Sequence, residues 1–128
     1  TRAKDKPTGD PEMKLLTQSI INQLAKNGEV AEQDPSFDPS PVVKLFTPDA
    51  GATWLLAWTD PQDPDIAFGL CDLGLGYAEL GSVRLSEIAS IRGRFGLPAE
   101  RDQHWTPTGT LGAYAKASYP KGRIVEPD

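Results

Sequence analysis

VVKLFTPDAGATWLLAWTDPQDPDIAFGLCDLGLGYAELG, Val42 to Gly81, decides the fold. Val42–Thr47 and Ala52–Thr59 are short runs of β-branched and aromatic residues separated by Pro48-Asp49-Ala50-Gly51. Pro presets φ, Asp bonds its own backbone and Gly accepts positive φ, so the pair reads as an antiparallel hairpin. In the next run, Ile66–Cys71, alternation puts Ile66, Phe68 and Leu70 on one face and the small residues Ala67, Gly69 and Cys71 on the other. Gly74-Leu75-Gly76 then turns the chain, and Tyr77–Leu85 returns as a fourth strand.

Working outward, the helix before this core begins at an N-cap, Thr17, with Leu16 and Ile21 placed as a hydrophobic staple. Asn27-Gly28 reads as its C-terminal stop. Beyond the core, Ser86 caps a short helix over Glu87–Arg92, Asp102–Thr106 reads as a last strand, and Thr110 caps a helix over Leu111–Ser118. The expected architecture is an α+β domain over residues 13–118. Its antiparallel sheet has four or five strands, with an N-terminal and a C-terminal helix packed on one face. Residues 1–12, TRAKDKPTGDPE, read as a flexible extension, with Met13 a candidate native start. Residues 119–128 read as a flexible tail.

At 128 residues the chain suits one domain with a core large enough to need no staple. The single cysteine, Cys71, forms no internal bridge, and its apolar strand setting suits an inert thiol. No apolar run approaches the roughly 20 residues of a membrane span. The expectation is therefore a soluble cytoplasmic protein without membrane contact. Arg92, Arg94 and Arg101 are too few to make nucleic acid the expected partner.

Charge is the informative feature. The net of −5 hides a segregation: Gly28 to Leu80 holds ten acidic residues against one base, Lys44, a local −9. Such a field favours a basic protein partner or a cation. Asp49, Asp60, Asp63 and Asp65 are the candidate partner-binding residues. Asp60, Asp63 and Asp65 also offer oxygens to a hard metal ion from one short acidic loop, although the spacing is not that of an EF-hand. A catalytic alternative uses Asp72 and Glu79 as paired carboxylates across the glycine turn, with His104 as general base. No nucleophile triad accompanies them, and the glycines Gly69, Gly74 and Gly76 match neither dinucleotide nor P-loop spacing, so no cofactor is expected.

Taken in order, PVVKLFTPDAGATWLL, DPQDPDIAFGLCDLGLGYAELGSVRLSEI, GLPAERD and TPTGTLGAYA resemble the bacterial domain of unknown function 2958 family from about Met13 to Ser118. That resemblance implies a small single domain, often carried by plasmids and other mobile elements, and no activity to transfer. Two positions depart from the pattern that the resemblance implies: Trp58 stands where a Glu is expected, and His104 precedes Trp105 where other aromatics are expected. Both departures argue against those residues as functional groups. Composition and resemblance together give an acidic interaction protein, a mobile-element accessory or anti-defence factor that binds a basic protein surface. The alternative is a small hydrolase or metal-dependent enzyme using Asp72, Glu79 and His104.

Overall fold

The computed structural model describes residues 15–128; the expectations for Thr1–Glu12 and Met13 lie outside them. Helix α1 (Gln18–Gln33) opens on Thr17, whose hydroxyl accepts the Ile20 N–H at 3.2 Å, and Leu16 and Ile21 both join the core beside it. Four strands follow, β1 (Val43–Phe46), β2 (Thr53–Asp60), β3 (Asp63–Asp72) and β4 (Ala78–Arg84). Then come the short helix α2 (Leu85–Ser90), strand β5 (Glu100–Arg101) and helix α3 (Leu111–Ser118). The sheet is antiparallel with order β4-β3-β2-β1-β5, an α+β fold as expected.

The terminal helices do not share a face. On one side Leu24 of α1 and Leu85 and Ile88 of α2 cover Val43, Leu45, Trp54, Leu56 and Ala67. On the other, Leu111, Tyr114 and Ala115 of α3 cover Leu55, Ala57, Leu70 and Ala78. The reason lies in β2, where Trp54 through Ala57 are all buried. A central strand that is apolar on both faces needs cover on both.

Other expected boundaries also move. Asn27-Gly28 does not stop α1, because both residues face inward: Asn27 Nδ2 donates to the Ala57 carbonyl at 2.9 Å, and Gly28 lies against the Thr59 carbonyl. The helix runs on to Gln33. Helix α2 starts before Ser86 because a side chain from β3, Asp65, caps it. The last strand is Glu100–Arg101, paired with Phe46 and Leu45; Asp102 instead begins a turn by accepting the His104 N–H. The acidic stretch from Asp60 to Asp65 is not a loop. Asp60 pairs with Asp63 across a turn at Pro61-Gln62, and Asp63 and Asp65 belong to β3.

The segment after α3 is packed in place of a free tail. Tyr119–Lys121 forms a 3-10 helix, the Ile124 N–H donates to Asp72 Oδ2 at 3.2 Å, and the Val125 N–H donates to Ser118 Oγ at 3.0 Å. Glu126 then collects three donors: Tyr114 OH and Thr108 Oγ1, each at 2.6 Å, and Trp105 Nε1 at 3.3 Å.

Candidate functional site

The bulge in β2 creates the most distinctive local geometry. Trp54 and Leu56 face α1, and strict alternation would aim Trp58 the same way. The register shift between Leu56 and Trp58 instead turns Trp58 to the opposite face, the re-aiming a bulge produces. There Trp58 stacks on Phe68, its partner across β3, with ring centroids 4.7 Å apart and planes 16° apart. Phe37, from the connection after α1, lies 6.1 Å from Trp58.

This aromatic wall opens on a pocket of about 240 Å³ that also has Gly28, Glu32, Asp60 and Pro61 in its lining. In the amide orientation that satisfies both carboxylates, Gln62 donates to Glu32 Oε2 at 2.9 Å and Asp60 Oδ1 at 3.2 Å. The pocket therefore combines aromatic faces with two carboxylates, the chemistry that holds a guanidinium or ammonium group. Sequence reading missed Glu32 and the stack. The acidic content of α1's last turns was visible, but the meeting of Glu32 with Asp60 depends on the helix continuing past Gly28.

The aspartates that sequence reading assigned to partners do structural work. Every aspartate between Gly28 and Leu80 accepts a backbone N–H. Asp34, Asp60, Asp63 and Asp72 bond the residue two positions on, Ser36, Gln62, Asp65 and Gly74. Asp38, Asp49 and Asp65 reach across the fold to the N–H groups of Gly112, Phe95 and Ser86. The acidic segregation is to this extent turn and cap chemistry. The signal was present in the repeated pattern of Asp ahead of a turn, but the three long-range bonds have no local trace.

Of the four partner candidates, Asp60 alone lines the pocket. Asp63 and Asp65 pair with Arg84 at 3.2 and 3.5 Å, and Asp65 also takes the Ser86 hydroxyl at 2.7 Å. Burial works against the Asp65 charge, but the Ser86 and Arg84 bonds outweigh it and hold the carboxyl below its usual range. Asp49 sits at the other end of β2, where its Oδ2 accepts the Phe95 N–H at 2.8 Å and its Oδ1 is buried against Gly93. Among the described residues, no group of three or more His, Cys, Asp or Glu side chains is placed to hold a metal ion, and Asp60, Asp63 and Asp65 are no exception.

The catalytic candidates do not converge either. Asp72 pairs with Ala78 and Cys71 with Glu79, so the Asp72 and Glu79 side chains project from opposite faces of the sheet. Asp72 is buried and spent on Gly74 and Ile124, while His104 is exposed in the turn after β5. Burial, with the Glu79 charge adding to it, pushes the Cys71 thiol up to about 11. At neutral pH the thiolate is then scarce. Cys71 is expected to react with a disulfide reagent at least tenfold more slowly in the folded protein than after unfolding in urea; equal rates would contradict the burial.

No helix among the described residues is long and apolar enough to cross a membrane. A family model described as "Protein of unknown function (DUF2958)" matches residues 15–125. No curated protein and no solved structure matches the chain.

Proposed function

We propose that this chain, which belongs to the DUF2958 family of proteins of unknown function, is a small interaction module whose acidic end takes a basic segment of a partner protein. The observation that supports this reading is the pocket where Glu32 and Asp60 flank the Trp58–Phe68 stack. Glu29 lies one turn before Glu32 on the same helix and extends the acidic rim. Three ion pairs form among the described residues, Lys44–Asp102 and the two of Arg84, and none engages Glu29, Glu32 or Asp60. An arginine side chain laid on Trp58 would keep its charge beside both carboxylates, which offsets its desolvation. A carboxylate surface standing in for nucleic-acid phosphates on a defence or DNA-processing factor is the biological setting that the mobile-element resemblance suggests.

Titration with a hexa-arginine peptide, followed by tryptophan fluorescence, tests the reading. Glu32→Gln with Asp60→Asn is expected to weaken binding about tenfold or more at low salt. Asp49→Asn, at the far end of the sheet, is expected to leave affinity unchanged. Equal affinity of the wild type and the double variant would remove the pocket from the proposal.

A further inference from the structure

The opposite end of the sheet carries the complementary chemistry. Four loops interlock there. A side chain at Gly74 would meet the Gly51 carbonyl at 3.2 Å, joining the β1–β2 and β3–β4 turns, and one at Gly122 would meet the Gly76 carbonyl at 2.5 Å, joining the 3-10 helix to the same group. Asp49 ties in the loop from Arg92 to Pro98 through the Phe95 N–H.

These loops expose Leu73, Leu75, Tyr77, Phe95, Leu97 and Tyr119, six of the eight large apolar residues exposed among those described. Phe95 is 75% exposed and Leu75 67%, values that scattered surface positions do not explain when they cluster on adjoining turns. Four bases, Arg92, Arg94, Lys121 and Arg123, are exposed on the same loops, and Arg94 lies over the Phe95 ring at 5.4 Å. Of the carboxylates at this end of the sheet, Asp49 has its Oδ1 buried and Asp72 is buried, which leaves Glu79 exposed at the start of β4 against the four bases.

Charge decides among occupants. Pairing this face with itself, in a symmetric dimer, would set four bases against four. The acidic pocket complements it, yet the two lie at opposite ends of the strands and cannot meet within one molecule. From this we infer that the Arg94–Phe95 tip of one copy docks in the Trp58–Phe68 pocket of a second, head to tail. The inference rests on the reading of the pocket as a cation site and names its occupant. Arg94 would face Glu32 and Asp60, and the Phe95 ring would extend the aromatic stack.

Sedimentation velocity of the full chain over a concentration series, at low and at high salt, tests it. The sedimentation coefficient is expected to rise with concentration and to fall back on adding salt. Arg94→Glu and Glu32→Lys, each checked for folding by circular dichroism, are expected to weaken association at least tenfold alone. Mixed together they are expected to associate again, because the swapped charges match. A monomer at every concentration, or association indifferent to both variants, overturns the inference. If the wild type stays monomeric but still binds hexa-arginine, the pocket reading survives and its occupant is not a second copy; if it does neither, both fall. Binding of phosphatidylserine vesicles without self-association would give the Phe95 end to a lipid surface and also overturn it.

Discussion

Gly28→Ala is expected to destabilise the protein by roughly 3 kcal/mol, although the same change in an isolated helix would stabilise it by about 1 kcal/mol. Sterics win because the added Cβ would lie 1.8 Å from the Thr59 carbonyl oxygen and 3.0 Å from its carbon. The obstructing atoms are backbone of β2, so no side-chain rotation relieves the clash. Either α1 moves off the sheet, losing the Asn27 bond to the bulge carbonyl, or the bulge itself deforms. Urea unfolding measures the cost. Ala25, exposed on the same helix, provides the contrast: Ala25→Gly should cost only about 1 kcal/mol, through propensity alone. Similar small effects at the two positions would show that α1 does not approach β2 this closely. Because Gly28 also lines the pocket, the variant should bind hexa-arginine more weakly even where it remains folded.

Truncation after Ser118 should have a comparable effect, a loss of roughly 3 kcal/mol or more. It strips Tyr114 OH of its Glu126 acceptor, Asp72 of the Ile124 N–H and Ser118 Oγ of the Val125 N–H, and uncovers apolar surface where Ile124 packs. Each buried polar group left unsatisfied costs about 1–3 kcal/mol. A truncated chain as stable as the full one would restore the picture of a free tail. The latch also carries a pH signature. Burial opposes the Glu126 charge, but the Thr108, Tyr114 and Trp105 bonds prevail and hold the carboxyl below its usual range. Its contribution is therefore complete above the unfolded glutamate value of about 4.3 and is lost as pH falls through the lower folded value. In thermal melts, the wild type should exceed Glu126→Gln at neutral pH, and the gap should narrow below about pH 4. At the alkaline end the sign reverses for Tyr114. Burial and the Glu126 bond raise its hydroxyl, so its contribution holds below the unfolded value of about 10 and fades as pH climbs through the folded one.

Much of the fold was legible because its causes are local. Thr17 and Thr110 announce their helices through one hydroxyl bond each, to Ile20 and Ala113. The turn chemistry of Pro48 through Gly51 and Gly74 through Gly76 separates strands whose apolar runs were visible, and Gly51, Gly74 and Gly76 all take positive φ. Asn27-Gly28 was misread because the same two residues that end a helix in isolation serve here as contacts to β2. The site was less legible. Charge counting found the acidic segment, but it could not tell Asp60, which lines a pocket, from Asp65, which caps a helix, or from Asp49, which fastens a loop 46 residues away.

By itself, then, the sequence determined the antiparallel meander, the caps of its first and last helices, and the concentration of carboxylate between Gly28 and Leu80. Periodicity, turn residues and charge act over a few positions and need no knowledge of what packs opposite. Tertiary structure alone decided that the two terminal helices cover opposite faces, that a bulge turns Trp58 onto Phe68 beside Glu32 and Asp60, and that Asp72 and Glu79 are parted by the sheet. Those outcomes depend on strand register, and in a strand a shift of one residue exchanges one face for the other.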